Sequence, residues 1–151
     1  MRKYSVPCAT LGSIGYAPAG GSWASFLALP LVVVLQVLCG WQLLYTLVVC
    51  LFGGVSCWIV YNALPSFRQR DPKMIVLDEV VGMCVTFVGI AVTPKILMMG
   101  FLLFRFFDIS KWCGVSLVER LPHAWGVVLD DVVAGFLSSI CLRLLINYVI
   151  I

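Results

Sequence analysis

Residues 75–83 of this 151-residue chain read IVLDEVVGM, and residues 126–136 read GVVLDDVVAGF. Each stretch sets two adjacent carboxylates inside an apolar run: Asp78 and Glu79 in the first, Asp130 and Asp131 in the second. A fifth acid, Asp108, follows Phe104-Arg105-Phe106-Phe107. The chain has only seven carboxylates, and the remaining two are Asp71 and Glu119. An ionised carboxylate in the middle of a membrane helix costs about 2.5–3.5 kcal/mol on the insertion scale, so such residues usually face a polar cavity and carry a function. Two acid pairs at that cost point to a membrane enzyme with a carboxylate-rich site.

The composition agrees. Hydrophobic residues make up 62% of the chain and charged residues 11%, against roughly 25% charged in an ordinary soluble domain. This predicts an all-α, polytopic helical membrane protein forming one domain over residues 1–151, with 1–22 a cytoplasmic loop and 23–151 a helical bundle. Five apolar segments can be drawn: about Trp23 to Leu38, Trp41 to Tyr61, Met74 to Val92, Lys95 to Phe107, and Gly126 to the C-terminus. The second is long enough to cross a bilayer core of about 30 Å at 1.5 Å per residue. The first and fourth are short, so the expectation is about five membrane helices, alternatively four.

Threading five spans with the N-terminus inside puts Arg2, Lys3, Arg68, Arg70, Lys73, Arg105, Lys111 and Arg120 on one side. Only Lys95 and Arg143 fall on the other, so the basic side is expected to be cytoplasmic. All seven acids thread to that same side. Each acid pair is followed one turn later by small residues, Gly82 after Glu79 and Ala134-Gly135 after Asp130-Asp131. Such residues let neighbouring helices approach closely and bring the carboxylates together. Trp41 and Trp58 suit the membrane interface.

Other classes are disfavoured. A net charge of +3 with scattered cations gives no nucleic-acid surface. The basic N-terminus lacks an apolar signal core, which predicts mature sequence. Most of the seven cysteines lie in apolar segments and none forms C-x-x-C, so they read as small hydrophobes; Cys113 lies nearest the expected site. One histidine, His123, cannot complete a Cys/His zinc site and reads as a loop residue.

A carboxylate cluster without His or Cys suits a hard cation such as Mg²⁺, which is held by carboxylates together with substrate phosphates. The candidate ligands are Asp78, Glu79, Asp130 and Asp131. Arg105 and Lys111 flank Asp108 and offer cations for a phosphate; Arg68, Arg70 and Lys73 precede the third segment. The loop from Thr10 to Ser22 adds hydroxyls and glycine amides. A Cys-x5-Arg phosphatase loop, a two-His site and an Asp-x-Asp motif are all missing. What remains is metal-assisted attack of water, or of a carboxylate, on phosphorus, with water preferred.

Three motifs in order now carry a resemblance. Asp71-Pro72-x-x-Ile75-Val76-x-Asp78-Glu79-x-x-Gly82, Phe104-Arg105-x-Phe107-Asp108-Ile109-x-Lys111 and Asp130-Asp131-x-x-Ala134-Gly135 resemble the phosphatidylglycerophosphatase A family. The resemblance implies an all-helical, Mg²⁺-dependent inner-membrane enzyme that converts phosphatidylglycerophosphate into phosphatidylglycerol. Catalysis would rest on Asp78, Glu79, Asp108, Asp130 and Asp131, with Thr10, Ser22, Arg105 and Lys111 binding phosphate. Two departures stand out. The family's Pro-Gly-Thr is Gly20-Gly21-Ser22 here, one residue shorter overall, and its Pro-x-Pro after the lysine is Trp112-Cys113-Gly114.

Plainer uses exist for several of these residues. Asp71 suits a helix cap, and Asp108 an ion pair with Arg105 or Lys111. A small cation- or proton-coupled transporter using the same acids is the alternative function. Against it, all the acids thread to one side, whereas transport sites lie near the midplane. A membrane scaffold leaves the acid pairs without a purpose.

Overall fold

The structure, a computed structural model, describes residues 2–67, 72–112, 115–118 and 121–149. Arg68, Arg70, Asp71, Cys113, Glu119 and Arg120 therefore lie outside the described residues. Within them the chain is all-helical: α1 (Arg2–Ala9), a 3-10 turn (Ile14–Tyr16), α2 (Gly20–Cys39), α3 (Gln42–Ala63), a second 3-10 turn (Leu64–Ser66), α4 (Leu77–Thr86), α5 (Pro94–Ser110), α6 (Val115–Val118) and α7 (Ala124–Val149).

The expected loop over 1–22 is instead folded. α1 occupies most of its first half despite Pro7. The backbone N–H of Val76 donates to the carbonyl of Ala9, and Gly15 is so close to Met74 that a Cβ there would run into its carbonyl oxygen. The N-terminal segment thus docks on the entry to α4.

α2 and α3 are each long and apolar enough to cross a membrane. Only 28% and 22% of their most apolar windows are buried, unlike the core helix of a soluble protein. Trp41 and Trp58 are exposed, as expected for interfacial residues. Among the described residues these two helices alone meet that standard, fewer than the four or five expected.

The clearest departure is the third segment. α4 has ten residues, about 15 Å at 1.5 Å per residue, which is half a bilayer core. It stops because Phe87–Gly89 turns, with Gly89 at φ +69°, and side chains from three other helices satisfy the freed backbone. Gln36 of α2 donates to the carbonyls of Phe87 and Ile90, Arg143 of α7 donates to that of Val88, and the N–H of Gly89 donates to Gln42 of α3. A helix that breaks against packed neighbours needs such replacements for its freed backbone groups.

α5 starts where Thr93 accepts the N–H of Ile96 and Pro94 occupies the first turn. It ends at Lys111, which adopts a left-handed φ of +51°. The main core gathers Ala28, Val32, Tyr45, Met83, Phe87, Phe104 and Leu142, from α2, α3, α5, α7 and the α4 region. The six described cysteines are free thiols.

Candidate active site

At the end of the bundle where α2, α4 and α7 begin and α5 ends lies a cavity of about 860 Å³. Its wall includes Gly20, Gly21 and Ser22 of α2, Lys73, Asp78, Glu79, Arg105, Asp108, Lys111, Asp130 and Asp131. Every carboxylate singled out in the three motifs, Asp71 apart, therefore reaches one cavity, together with Arg105, Lys111 and Ser22.

The close approach of α4 and α7 explains the convergence. A Cβ on Gly82 would lie 2.7 Å from the Asp131 carbonyl oxygen and 2.5 Å from the Phe104 ring, and one on Gly135 would run into the Gly82 carbonyl. The small residues a turn beyond each acid pair are thus the contact surface itself. As a result Asp78, Glu79 and Asp131 each offer an oxygen within 4.8 Å of the others. Asp78 and Asp131 are buried, and Glu79 Oε2 is buried with no hydrogen-bond partner.

A buried, acceptor-only oxygen without a donor is costly unless a cation meets it. An all-oxygen donor set of three carboxylates fits a hard divalent ion. Burial pushes the Asp78 carboxyl well above the usual carboxylate range, and the charges of Glu79, Asp131 and Asp130 push it further. Burial also raises Glu79, although its contacts with Asp78 and Arg105 pull the other way. Metal-free, the site is a cluster of mutually repelling acids.

Asp130 does not join the three. Its Oδ2 pairs with Lys111 Nζ at 3.2 Å, and its Oδ1 accepts the N–H of Asp131 at 3.0 Å. Of the four carboxylates expected to hold a metal, three are thus grouped and Asp130 lines the same cavity beside them. The Lys111 ammonium at the end of α5 holds Asp130 Oδ2 away from the other three. Asp108 is not one of the three but adjoins them: its carboxyl meets that of Asp131 and also holds Arg105 Nη1 at 2.6 Å from one turn along α5.

Thr10, expected to bind phosphate, lies apart from the cavity wall. Its hydroxyl is buried within 3.0 Å of the carbonyl oxygens of Val6 and Gly12, and it is not among the cavity-lining residues. Threonine readily satisfies nearby backbone in this way. Ser22 does line the cavity, in the first turn of α2, where N–H groups lack helical acceptors and the dipole is positive.

Sequence reasoning gave no role to Ser25. Fully buried, it accepts from Arg105 Nη1 at 3.3 Å and donates to the Gly21 carbonyl at 2.8 Å. The signal lay in its position, one turn beyond Gly21 on the same helix. His123 packs near the Tyr61 ring and lies apart from the cavity, as expected of a loop residue.

The comparisons with known proteins point the same way. A family model described as phosphatidylglycerophosphatase A matches residues 8–146. A phosphatidylglycerophosphatase A of Haemophilus influenzae is 32% identical over 130 residues, covering 82% of this chain and 76% of that protein. One of Escherichia coli is 30% identical over 121 residues, covering 79% and 69%. A Bacteroides thetaiotaomicron protein named for phosphatidylinositol-3-phosphatase activity is 36% identical over 95 residues, 61% of this chain; the match spans 59% of that relative's length. No solved structure matches. With the family model covering nearly the whole chain and the three motifs meeting in one cavity, the chain belongs to the phosphatidylglycerophosphatase A family.

Proposed function

We propose that this protein is a Mg²⁺-dependent lipid phosphatase that hydrolyses phosphatidylglycerophosphate to phosphatidylglycerol and inorganic phosphate in phospholipid biosynthesis. The observation that carries this reading is one cavity holding two opposed chemistries. Asp78, Glu79 and Asp131 gather for a cation, while Arg105 and Lys111 face the same space and suit a phosphate. When bound by those three carboxylates, Mg²⁺ supplies positive charge against phosphate and lowers the pKa of water.

The chain's own residues do the rest. Arg105 and Lys111 neutralise the phosphoryl oxygens, and Asp108 and Asp130 hold those two cations in place. Ser22 and the first amides of α2 donate to the same group. Water adds to phosphorus as the bond to the lipid oxygen breaks; a cavity carboxylate takes the proton from the attacking water and returns it to the departing lipid oxygen, which leaves as the alcohol. The transporter alternative draws no support, since the relatives are named as phosphatases and the acids share one end of the bundle.

The reading extends to location: a multi-pass protein of the bacterial inner membrane, with the cavity on the cytoplasmic side. Four crossings, by α2, α3, α5 and α7, suit the packing better than five. α5 and α7 pack together well past the end of α4, with Phe87 and Leu142 both closing on Gly100, whereas α4 stops after ten residues.

The test is phosphate release by the purified protein from a panel of phospholipid monoesters, with and without EDTA. Phosphatidylglycerophosphate should be the preferred substrate, and EDTA should abolish turnover. Release that persists in EDTA, or none from any lipid monoester, would overturn the proposal.

A further inference from the structure

We propose that Ser25 is a positioning residue that sets the plane of the Arg105 guanidinium for phosphate binding. This rests on the phosphatase reading of the cavity. The Ser25 hydroxyl has one hydrogen, and it goes to the Gly21 carbonyl at 2.8 Å. Only lone pairs remain for Arg105, which donates to them from Nη1 at 3.3 Å. Asp108 takes the same nitrogen at 2.6 Å.

A guanidinium Nη carries two hydrogens, so the two acceptors, from different helices, use both and fix rotation of the group. One acceptor alone, on a neighbouring turn of the same helix, leaves the plane free to swing. Nε is left buried and without a partner. A buried donor in that state is costly, and a phosphate oxygen arriving in the cavity relieves it. Gly21 keeps the corner open, since a Cβ there would run into Glu79 Oε1 and lie 3.5 Å from Arg105 Nη1. Ser25 is fully buried and is not among the residues that line the cavity.

The experiment uses full-length protein in detergent and two substitutions, Ser25→Ala and the near-isosteric Ser25→Cys, which keeps the volume and weakens the acceptor. Calorimetry with inorganic phosphate in the presence of Mg²⁺ reads binding; turnover of phosphatidylglycerophosphate reads KM and kcat. Both variants should weaken phosphate binding and raise KM about tenfold, in keeping with loss of a hydrogen bond to a charged group. The Mg²⁺ half-saturation and the melting temperature should stay at wild-type values, and kcat should change far less than KM.

Wild-type phosphate affinity and KM in both variants would overturn the assignment. So would a loss of Mg²⁺ affinity and melting temperature in parallel, which marks a packing role. A wild type that binds phosphate but releases none from lipid would instead count against the phosphatase reading, and the binding comparison would still decide for or against Ser25.

Discussion

Gly82 of α4 and Gly135 of α7 meet so closely that a single methyl group on Gly135 has no room beside the Gly82 carbonyl. That contact lies one turn from three carboxylates and sets the distance between their helices. Gly82→Ala is expected to destabilise the protein by about 1–3 kcal/mol, the usual cost of overpacking. It should also lower turnover by parting Asp131 from Asp78 and Glu79. Gly54→Ala, with nothing within 4 Å, should leave the melting temperature and activity near wild type. Thermal unfolding in detergent alongside phosphate release checks both.

Asp130 and Asp131 are neighbours with different tasks, and substitution should separate them. Asp131→Asn is expected to abolish Mg²⁺-dependent phosphate release without loss of expression, and to weaken cation binding. Asp130→Asn should leave cation binding near wild type while cutting kcat/KM, because it weakens the ion pair that positions Lys111 rather than removing one of the three grouped carboxylates. A metal titration of each variant, followed by phosphate release, distinguishes them.

Arg105→Lys keeps a positive charge but loses the planar fork that meets Asp108 and Ser25 together. The expected result is a fall in kcat/KM of about tenfold or more, on the scale of a lost charge-assisted hydrogen bond. Steady-state kinetics at saturating Mg²⁺ provides the check.

Metal-free stability should depend on pH with a definite sign. Asp78 has a folded-state pKa raised above its unfolded value, so its contribution is most favourable below the unfolded carboxylate range. It is lost as pH rises through the raised folded value, once the buried acid must ionise. In EDTA, the melting temperature should therefore fall as pH rises above the ordinary carboxylate range. Added Mg²⁺ should reverse the loss most strongly at the higher pH, since ligands must be deprotonated to bind. A pH series of melting curves with and without the ion measures this.

The site was legible because its chemistry is expensive. Acid pairs in apolar runs announce themselves, and Gly82 and Gly135 marked the helix contact that joins Asp78, Glu79 and Asp131. The number of spans was less legible. Beyond Asp78 and Glu79 the run to Val92 stays apolar, so nothing in its hydropathy shows that the helix ends at Thr86. The break is paid for by Gln36, Gln42 and Arg143, residues far away in sequence. For Thr10 the sequence does not distinguish a hydroxyl that meets a ligand from one that satisfies nearby backbone, which is where the structure places it. Ser25 was passed over because its value depends on an arginine 80 residues away.

The central claim is that Asp78, Glu79 and Asp131 together grip one divalent ion that activity requires. The direct measurement is binding of Mn²⁺, as a paramagnetic stand-in for Mg²⁺, by electron paramagnetic resonance on purified wild type, Asp78→Asn, Glu79→Gln and Asp131→Asn. The account predicts competition between Mn²⁺ and Mg²⁺ in the wild type, and weakened binding in all three variants together with lost phosphate release. Wild-type Mn²⁺ affinity in the three variants, or full turnover without any divalent ion, would contradict it.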